Sequence, residues 1–379
     1  MAEPSGAKEG AARGAYRAAG VDVEAGERAV ALMRDAVAST RRPEVVGGLG
    51  GFAGAMEIPA GYRRPLLVAS TDGVGTKVAL ARRAGRLDGL GIDLVAMCAD
   101  DVACAGAEPL FLLDYVAVGR LVPAEVASIV GGVAAGCRLA GCTLLGGETA
   151  EHPGVMRPDD LDLAATCVGV VERDDLMDGR AVAAGDVLVG LASSGLHSNG
   201  FSLVRRIVVD AGLDLEAPYA AVLRRHAPGV TPEDALADAA LADVLLEPTR
   251  IYARALLAIR AAVRATGGGL DVHGIAHVTG GGLPGNVPRI VPAGLAARLY
   301  PGRWAMPSVM RLMGALGGIG GPELRATFNG GLGMVLAVPA GAAVEAVLAG
   351  AAEHGRQGVV VGEVVPVAVA GGRRYEEVG

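Results

Sequence analysis

The residues best suited to chemistry lie in one short stretch, residues 65–77, which reads Pro-Leu-Leu-Val-Ala-Ser-Thr-Asp-Gly-Val-Gly-Thr-Lys. Its glycines, Gly73 and Gly75, would let backbone N–H groups approach the oxygens of a phosphate. Asp72 could supply an oxygen ligand to Mg²⁺, and Lys77 could neutralise phosphate charge. The stretch is not a Walker A loop, because no glycine stands five positions before a Gly-Lys pair. It predicts either a site for a metal-bound polyphosphate or an ordinary turn between a strand and a helix.

Two further clusters could add flexible backbone or carboxylates to such a site. Residues 42–51 are dense in glycine, which indicates either a loop that wraps a ligand or a disordered linker. Residues 146–151, Gly-Gly-Glu-Thr-Ala-Glu, end a predicted strand, and ligands bind at strand ends in open α/β sheets. A carboxylate in that position is well placed to bind a metal.

A third cluster, residues 193–200, joins a predicted strand to the N-terminus of a helix, which attracts anions. A serine nucleophile is disfavoured, because Ser198 has Leu196 two residues before it and the pattern G-x-S-x-G is therefore absent. Capping of the helix by Ser198 or Asn199 is the structural alternative, and it is compatible with ligand binding.

A fourth cluster, residues 277–285, contains the pattern G-x-G-x-x-G. Pro284 and Pro288 would interrupt the helix that a dinucleotide site needs, so we discount such a site. His273 and His277 are four residues apart and could share a helix face as zinc ligands, but no third ligand lies beside them. A hydrogen-bonded structural role is the favoured interpretation of both histidines.

The composition restricts the classes of function. The chain has 379 residues, of which 51% are hydrophobic and 3% aromatic, with 59 glycines. This length suggests two or three domains, and so few aromatic residues make base stacking a poor basis for binding. The net charge is −7 and the basic residues are scattered, which argues against a general binder of nucleic-acid backbones. Any phosphate ligand is therefore expected to be small.

The cysteines and the hydropathy indicate the compartment. The five cysteines form no C-x-x-C pair, and an odd number fits no complete disulfide framework, so we expect a reducing cytoplasm. The first twenty residues lack the apolar run of a signal peptide. No stretch of 18 or more residues stays apolar, so we expect no membrane span.

The order of predicted elements is typical of a mixed α/β or α+β fold. Residues 1–20 are expected to form a flexible arm, because small and polar residues without periodicity cannot bury enough surface. We predict an N-terminal domain over residues 21–172 and a C-terminal domain over residues 173–379. The predicted strands are 65–70, 109–118, 143–146, 162–171, 187–192, 332–338 and 358–365, and the predicted helices are 91–105, 123–137, 199–211, 248–264 and 341–353.

Nine segments between about Tyr16 and Glu363 occur in chain order and together form one signature. They are residues 41–52, 71–77, 91–97, 106–111, 146–151, 197–200, 247–252, 279–282 and 327–329. This set resembles the phosphoribosylformylglycinamidine cyclo-ligase family, also called aminoimidazole ribonucleotide synthetases. A single such motif would be weak evidence, but nine in order are highly specific.

The resemblance implies an ATP-dependent enzyme of purine biosynthesis, which converts formylglycinamidine ribonucleotide to aminoimidazole ribonucleotide with release of ADP and phosphate. In the family chemistry, the γ-phosphoryl group passes to the formyl amide oxygen, and the amidine nitrogen then attacks and closes the ring. Such a transfer depends on positioning and charge neutralisation. ATP and Mg²⁺ are the implied cofactors, and a small ribotide is the implied substrate, with no nucleic-acid or membrane partner.

The resemblance also implies a set of site residues. The implied Mg²⁺ ligands are Asp72, Asp101 and Glu148, with Asp93 and Asp100 as weaker candidates. The implied ATP-binding residues are Asp72, Gly73, Gly75, Thr76 and Lys77. The implied substrate-binding residues are Ser194, His197, Asn199, Thr279, Gly280 and Gly281. Lys77 and His197 are the implied catalytic residues, His197 as a proton carrier during ring closure.

The family fold is α+β (mixed α/β): an N-terminal domain whose strands form a barrel across a homodimer, followed by an α/β C-terminal domain. ATP then lies near the dimer interface. One position departs from the family pattern in a way that bears on the metal: Asp100 stands where the family often has Asn, beside Asp101. An acidic, solvated helix face is the simpler explanation of these aspartates.

Two alternatives remain at this point. One is a related ATP-dependent enzyme of the same superfamily, such as thiamine monophosphate kinase, which lacks the loop at residues 197–200. The other is a nucleotide-binding regulator without catalysis. A pure binder would not need the whole set of site residues, which disfavours the regulator.

Overall fold

A computed structural model of the protein describes residue 18, residues 20–48 and residues 50–379. The predicted flexible arm therefore lies, apart from residues 18 and 20, outside the described residues. None of the described helices is both long and apolar enough to cross a membrane. All five cysteines are free thiols.

The helices are α1 (Val23–Ala38), α2 (Lys77–Ala84), α3 (Asp88–Cys104), α4 (Pro123–Ala140), α5 (Phe201–Asp210), α6 (Tyr219–His226), α7 (Leu241–Leu245), α8 (Ala253–Ala265), α9 (Gly282–Asn286), α10 (Ser308–Gly317), α11 (Gly321–Thr327) and α12 (Ala342–Glu353). The strands are β1 (Val45–Val46), β2 (Ala55–Met56), β3 (Pro65–Gly73), β4 (Glu108–Val118), β5 (Thr143–Glu151), β6 (Leu161–Glu172), β7 (Val187–Ala192), β8 (Gly274–His277), β9 (Leu295–Leu299), β10 (Leu332–Val338), β11 (Gly358–Pro366) and β12 (Tyr375–Glu377).

A four-stranded sheet forms the N-terminal half of the described chain, in the order β3-β6-β4-β5. Strands β4 and β5 are parallel, and α4 makes the crossover that a parallel pair requires. The other two pairs are antiparallel. Helix α3 packs on the inner face of this sheet, where the Sγ of Cys98 lies 3.3 Å from the carbonyl oxygen of Ala165.

A six-stranded sheet forms the C-terminal half, in the order β12-β9-β11-β7-β10-β8. Every residue of β10, from Leu332 to Val338, is buried. A strand covered on both faces reads as a continuous apolar run, which is why this strand is predictable from the sequence.

Two glycines let α3 and α4 approach each other closely. A side-chain carbon at Gly91 would lie 2.1 Å from the backbone nitrogen of Val133, and one at Gly132 would lie 1.9 Å from the carbonyl oxygen of Asp88. No side chain fits into such a contact. The close packing fixes α3, which carries the aspartates of the candidate site.

The mixed α+β architecture agrees with the sequence prediction. The short strands β8, β9 and β12 were missed, as was the five-residue helix α9. The last strand of the four-stranded sheet ends at Glu172 and the first of the six-stranded sheet begins at Val187. The barrel across a homodimer and the boundary at residue 173 stay predictions.

Candidate active site

The turn that follows β3 carries the polar groups predicted to bind phosphate. Asp72 is exposed, and its Oδ1 accepts a hydrogen bond from the backbone N–H of Gly73 at 2.7 Å. Gly75 has a φ of 66°, a left-handed conformation that glycine adopts without strain. The hydroxyl of Thr76 lies 3.2 Å from the hydroxyl of Ser202, at the start of α5. The turn is thus open to solvent and borders the C-terminal half.

Lys77 does not lie on the open side of this turn. Its side chain is 1% exposed, and Nζ lies 2.9 Å and 2.7 Å from the two carboxylate oxygens of Asp93. Nζ also donates to the carbonyl oxygens of His197, at 3.1 Å, and Glu247, at 3.0 Å. Burial lowers the pKa of Lys77, and the carboxylate of Asp93 opposes that shift. The ammonium group therefore points inward, whereas the predicted contact with phosphate requires it on the open side of the turn.

The loop at residues 193–200 is held by its own hydrogen bonds and by residue 248. His197 is 1% exposed and has a φ of 61°, which is uncommon for a residue other than glycine. Its Nε2 accepts the backbone N–H of Ser194 at 3.1 Å, and the hydroxyl of Ser194 donates to the carbonyl oxygen of Pro248 at 2.8 Å. The histidine therefore shapes the loop from inside.

The protonation of His197 follows from this burial. Burial holds the pKa of His197 well below its usual value, so the imidazole is neutral at physiological pH. Since Nε2 accepts a hydrogen bond, Nδ1 carries the proton, and it is buried without a hydrogen-bond partner among the described residues. One ring nitrogen of His197 is thus hydrogen-bonded and the other buried, and its role as a proton carrier stays a prediction.

The glycine-rich loop at residues 279–282 lies against the first loop. The side-chain amide of the buried Asn286 donates to the carbonyl oxygens of Thr279, Gly280 and Gly282. The Oδ1 of Asn199 would lie 3.5 Å from a side-chain carbon at Gly280. The structure therefore brings one predicted substrate-binding residue of each loop, Asn199 and Gly280, close together.

A cavity of about 350 Å³ lies between the two halves of the chain. Ser70 and Asp101 line it from one half, and His277, Asn286 and Arg289 line it from the other. Asp101 accepts hydrogen bonds from the Nδ1 of His277 at 2.9 Å and from Ser70 at 3.2 Å. Although burial alone would raise it, the hydrogen bond from His277 lowers the pKa of Asp101. Asp101 is thus an anionic group that faces a ligand-sized space.

The predicted magnesium ligands are only partly brought together. Asp72 and Ser70 lie two residues apart on β3, hence on one face, and Ser70 contacts Asp101. Glu148 lies beside Tyr115 in the row of the sheet next to the row of Asp72, so the side chains of Glu148 and Asp72 are on opposite faces. Strands β5 and β3 are also three strand spacings apart, or about 14 Å.

The positions of the predicted ligands can be compared with what Mg²⁺ requires. Within the described residues, no three His, Cys, Asp or Glu side chains cluster closely enough to hold a metal. Two carboxylates, Asp72 and Asp101, fit the usual habit of Mg²⁺, which takes one or two carboxylates and completes its octahedron with phosphate oxygens and water. Glu148 of the same chain does not fit that site.

The histidines predicted as structural are indeed hydrogen-bonded. His273 contacts Asp186 at 2.8 Å and His277 contacts Asp101, so the two rings serve different carboxylates and share no zinc site. Sequence reasoning missed Asn286 and Arg289 as site residues. Their only signal was their place just after the glycine-rich loop, in the segment Gly285-Asn286-Val287-Pro288-Arg289.

Comparison with known proteins places these features in context. Residues 53–171 match the family described as AIR synthase related protein, N-terminal domain, and residues 183–372 match AIR synthase related protein, C-terminal domain. A Gloeobacter violaceus protein named phosphoribosylformylglycinamidine cyclo-ligase is 53% identical over 353 residues, which cover 93% of this chain and 98% of that protein. A protein of the same name from Geobacillus kaustophilus is 47% identical over 365 residues, 95% of this chain and 99% of its own.

Solved structures with the same fold are much more distant in sequence. The thiamine-monophosphate kinase of Stenotrophomonas maltophilia superposes with a TM-score of 0.66 at 19% identity and covers 92% of this chain and 96% of its own. The hydrogenase maturation protein HypE in complex with ATP superposes with a TM-score of 0.61 at 19% identity, over 93% of this chain and 91% of its own. At such identity the likeness shows the fold alone.

Proposed function

The chain belongs to the phosphoribosylformylglycinamidine cyclo-ligase family, and we propose that it binds ATP at the turn of residues 72–76 and its ribotide at the loops of residues 193–200 and 279–282. It is an ATP-dependent C–N ligase of purine biosynthesis. The activity is therefore the cyclisation of formylglycinamidine ribonucleotide to aminoimidazole ribonucleotide, and the proposal concerns where and how it occurs.

One observation carries the placement of the two substrates. The hydroxyl of Thr76, in the turn, lies 3.2 Å from that of Ser202, in the first turn of the helix that follows the 193–200 loop. A phosphoryl transfer requires donor and acceptor to be in contact and in line. Because the turn and the loop adjoin, a phosphoryl group at Asp72 can reach an amide held at Ser194 to Asn199.

In the proposed complex, the backbone N–H groups of Gly73 and Gly75 and the hydroxyl of Thr76 bind the phosphates of ATP. Asp72 and Asp101 would hold Mg²⁺, and the ion would supply positive charge to neutralise the phosphates. His277 donates to Asp101 and keeps that carboxylate ionised and oriented.

On the ribotide side, the N-terminus of α5 and the backbone of Thr279 to Gly281 bind the phosphate of the substrate. Asn199, in the first loop, reaches toward Gly280 in the second and orients the formyl amide and amidine groups. The γ-phosphoryl group passes to the amide oxygen, the amidine nitrogen attacks the activated carbon, and phosphate leaves as the ring closes. The protein supplies position and charge, with no covalent bond to the substrate.

We propose further that the enzyme is a homodimer joined through the outer face of the four-stranded sheet. Leu67, Leu113 and Tyr115 lie in alternating positions on that face and are exposed. Exposed large apolar side chains on one sheet face favour burial against another copy. Such a dimer could bring Glu148 of one subunit toward the turn of the other. We place the enzyme in the cytoplasm, where its five free thiols would remain reduced.

The test supplies the purified protein with ATP, MgCl₂ and formylglycinamidine ribonucleotide and follows aminoimidazole ribonucleotide and ADP. We expect one ADP for each ring closed, with no ADP formed when the ribotide is left out. ATP binding without product would contradict the proposal. Chelation of the metal by EDTA is expected to stop turnover, and full turnover in EDTA would contradict the role given to Asp72 and Asp101.

A further inference from the structure

We propose that Lys77 and Asp93 are positioning residues: they form a buried ion pair that fixes the ribotide-binding loops, and Lys77 does not contact the phosphates of ATP. This inference rests on the proposed function, since it concerns the same site. It reverses the natural expectation for a lysine that follows an acidic, glycine-rich turn.

The first support is that the donors of Lys77 are all used. An ammonium group has three N–H donors. In the structure they go to the carboxylate of Asp93, the carbonyl oxygen of His197 and the carbonyl oxygen of Glu247. No donor is left for a phosphate, and the side chain is 1% exposed. To contact a phosphate, the ammonium group would have to break its contacts with all three partners and turn toward the open side of the turn.

The second support is the set of hydrogen bonds that Asp93 accepts in addition to its contact with Lys77. Its Oδ1 accepts the backbone N–H of Thr249 at 2.7 Å and the hydroxyl of Thr249 at 2.6 Å. The pair therefore joins α2 and α3 of the N-terminal half to residues 197 and 247–249 of the C-terminal half. These contacts span 120 to 170 residues along the chain.

The third support is that residues 248 and 249, next to the partners of the ion pair, also contact the loop at residues 193–200. The hydroxyl of Ser198 lies 3.3 Å from that of Thr249, and the hydroxyl of Ser194 donates to the carbonyl oxygen of Pro248. The segment at residues 247–249 thus braces both ends of the 193–200 loop. Movement of the ion pair would displace the loop, whereas the turn at residues 72–76 would keep its exposed groups.

The charge balance explains why both partners are needed. A buried ammonium or carboxylate that has lost its partner carries a large desolvation penalty. Loss of Lys77 alone would leave Asp93 charged in the core, and loss of Asp93 alone would leave Lys77. The informative variant is therefore Lys77→Met combined with Asp93→Asn, which removes both charges and keeps an amide oxygen to accept the N–H of Thr249.

The first experiment uses the wild-type protein and needs no variant. Lys8 and Lys77 are the only lysines in the sequence, so an amine-acylating reagent with peptide mass spectrometry reports Lys77 directly. We expect Lys77 to react at least about tenfold more slowly than in the denatured protein, and equally slowly with and without Mg²⁺ and a non-hydrolysable ATP analogue. Reaction of Lys77 at the denatured rate, with or without protection by the analogue, would overturn the proposal.

The second experiment compares two variants, Lys77→Met/Asp93→Asn and Thr249→Val, by titration calorimetry and steady-state kinetics. Thr249→Val removes a hydroxyl that binds Asp93 and changes no charge, so it reports on the same loop if the double variant does not fold. For each folded variant we expect the affinity for the ATP analogue to stay within about threefold while KM for the ribotide rises about tenfold or more. Three results would contradict the proposal: weaker binding of the analogue with an unchanged KM for the ribotide, weaker binding of both the analogue and the ribotide, or no change in either quantity.

The proposed function and the proposed role of the ion pair can be contradicted separately. If the wild-type protein forms no aminoimidazole ribonucleotide, the proposed function fails. The labelling result, in contrast, depends on the accessibility of Lys77 and not on turnover, so it tests the ion pair by itself.

Discussion

The turn at residues 72–76 and the loop at residues 193–200 have the same place in their domains and opposite construction. Each follows a strand and leads into a helix, yet the carboxylate of Asp72 is exposed and accepts the N–H of its neighbour, Gly73, whereas His197 is buried and bonded within its loop. The turn has an exposed carboxylate, which suits a ligand that arrives with its own metal. The loop is already formed, which suits a substrate that must be held in one orientation.

The largest effect should come from the open turn. We expect Asp72→Asn to lower kcat about a hundredfold to a thousandfold, because it removes a carboxylate from the proposed metal site. The melting temperature should stay the same, since Asp72 is exposed and makes one local hydrogen bond. Turnover and thermal melts check both statements. Asp214→Asn is the matched control, because Asp214 is also exposed and bonds a nearby backbone N–H, that of Glu216.

A fall in melting temperature with Asp72→Asn, or a kcat within a few-fold of the wild type, would erase the contrast between the turn and the loop. In the first case the turn would be structural, and in the second it would not be the site of phosphoryl transfer.

Strand β3, which leads into the turn, is also exposed on its outer face. A substitution on that face should have the next largest effect. Leu67→Glu places a charge on the proposed dimer face, and we expect it to convert the dimer to monomer and to lower turnover. Leu32→Glu on α1 is matched in exposure, 62% against 64% for Leu67, and should leave the dimer intact. Sedimentation velocity distinguishes the two. A wild-type protein that is monomeric at micromolar concentration would contradict the dimer and the route by which Glu148 reaches the turn.

Substitutions in the loop at residues 193–200 should have smaller effects, and on KM for the ribotide and not on kcat. We expect His197→Asn to raise KM for the ribotide about tenfold with unchanged affinity for ATP, and His197→Val to be worse in both stability and KM. Asn tolerates the φ of 61°, whereas a β-branched residue is strained there. Both lose the acceptor for the N–H of Ser194, which costs about 1–3 kcal/mol when buried. Equal effects of the two substitutions would show that the backbone conformation is unimportant.

The turn and the loop also show which features of the site can be predicted from the sequence and which cannot. The apolar strands and the residue types of both segments are local properties, and their chemistry could be inferred from spacing. The inward direction of Lys77 could not, because its partners at His197 and Glu247 lie 120 and 170 residues away. The face on which Glu148 lies depends on strand register, which a one-residue shift reverses.

Short strands were missed for a related reason. β8, β9 and β12 have four, five and three residues, which is too few for a period of two to be seen. Their assignment comes from pairing with distant strands, as in the parallel register of Tyr375 with Ala297. Where tertiary contacts decide the outcome, as at these strands and at Lys77, the local pattern is not sufficient.

The smallest expected effect concerns Asp100, the residue that stands where the family often has Asn. Its Oδ1 accepts the backbone N–H groups of Tyr252 and Ala253, each at 2.8 Å, and its Oδ2 is buried without a hydrogen-bond partner in the described part of the chain. Burial raises the pKa of Asp100 to about 7, although the two N–H groups oppose the shift. The folded protein therefore holds a proton that the unfolded chain releases near pH 4.

Between about pH 4 and pH 7 the folded state binds one more proton at this site than the unfolded state, so the free energy of unfolding falls as the pH rises. Asp100→Asn abolishes this titration and keeps an oxygen for both N–H groups. We expect urea unfolding to show the variant more stable than the wild type by about 1–3 kcal/mol at pH 8.5, with the difference shrinking toward pH 5. Asp210→Asn, at an exposed position, should show no such trend. A stability difference that does not change with pH would mean that Asp100 is ionised in the folded protein and that its unpaired oxygen is charged inside the core.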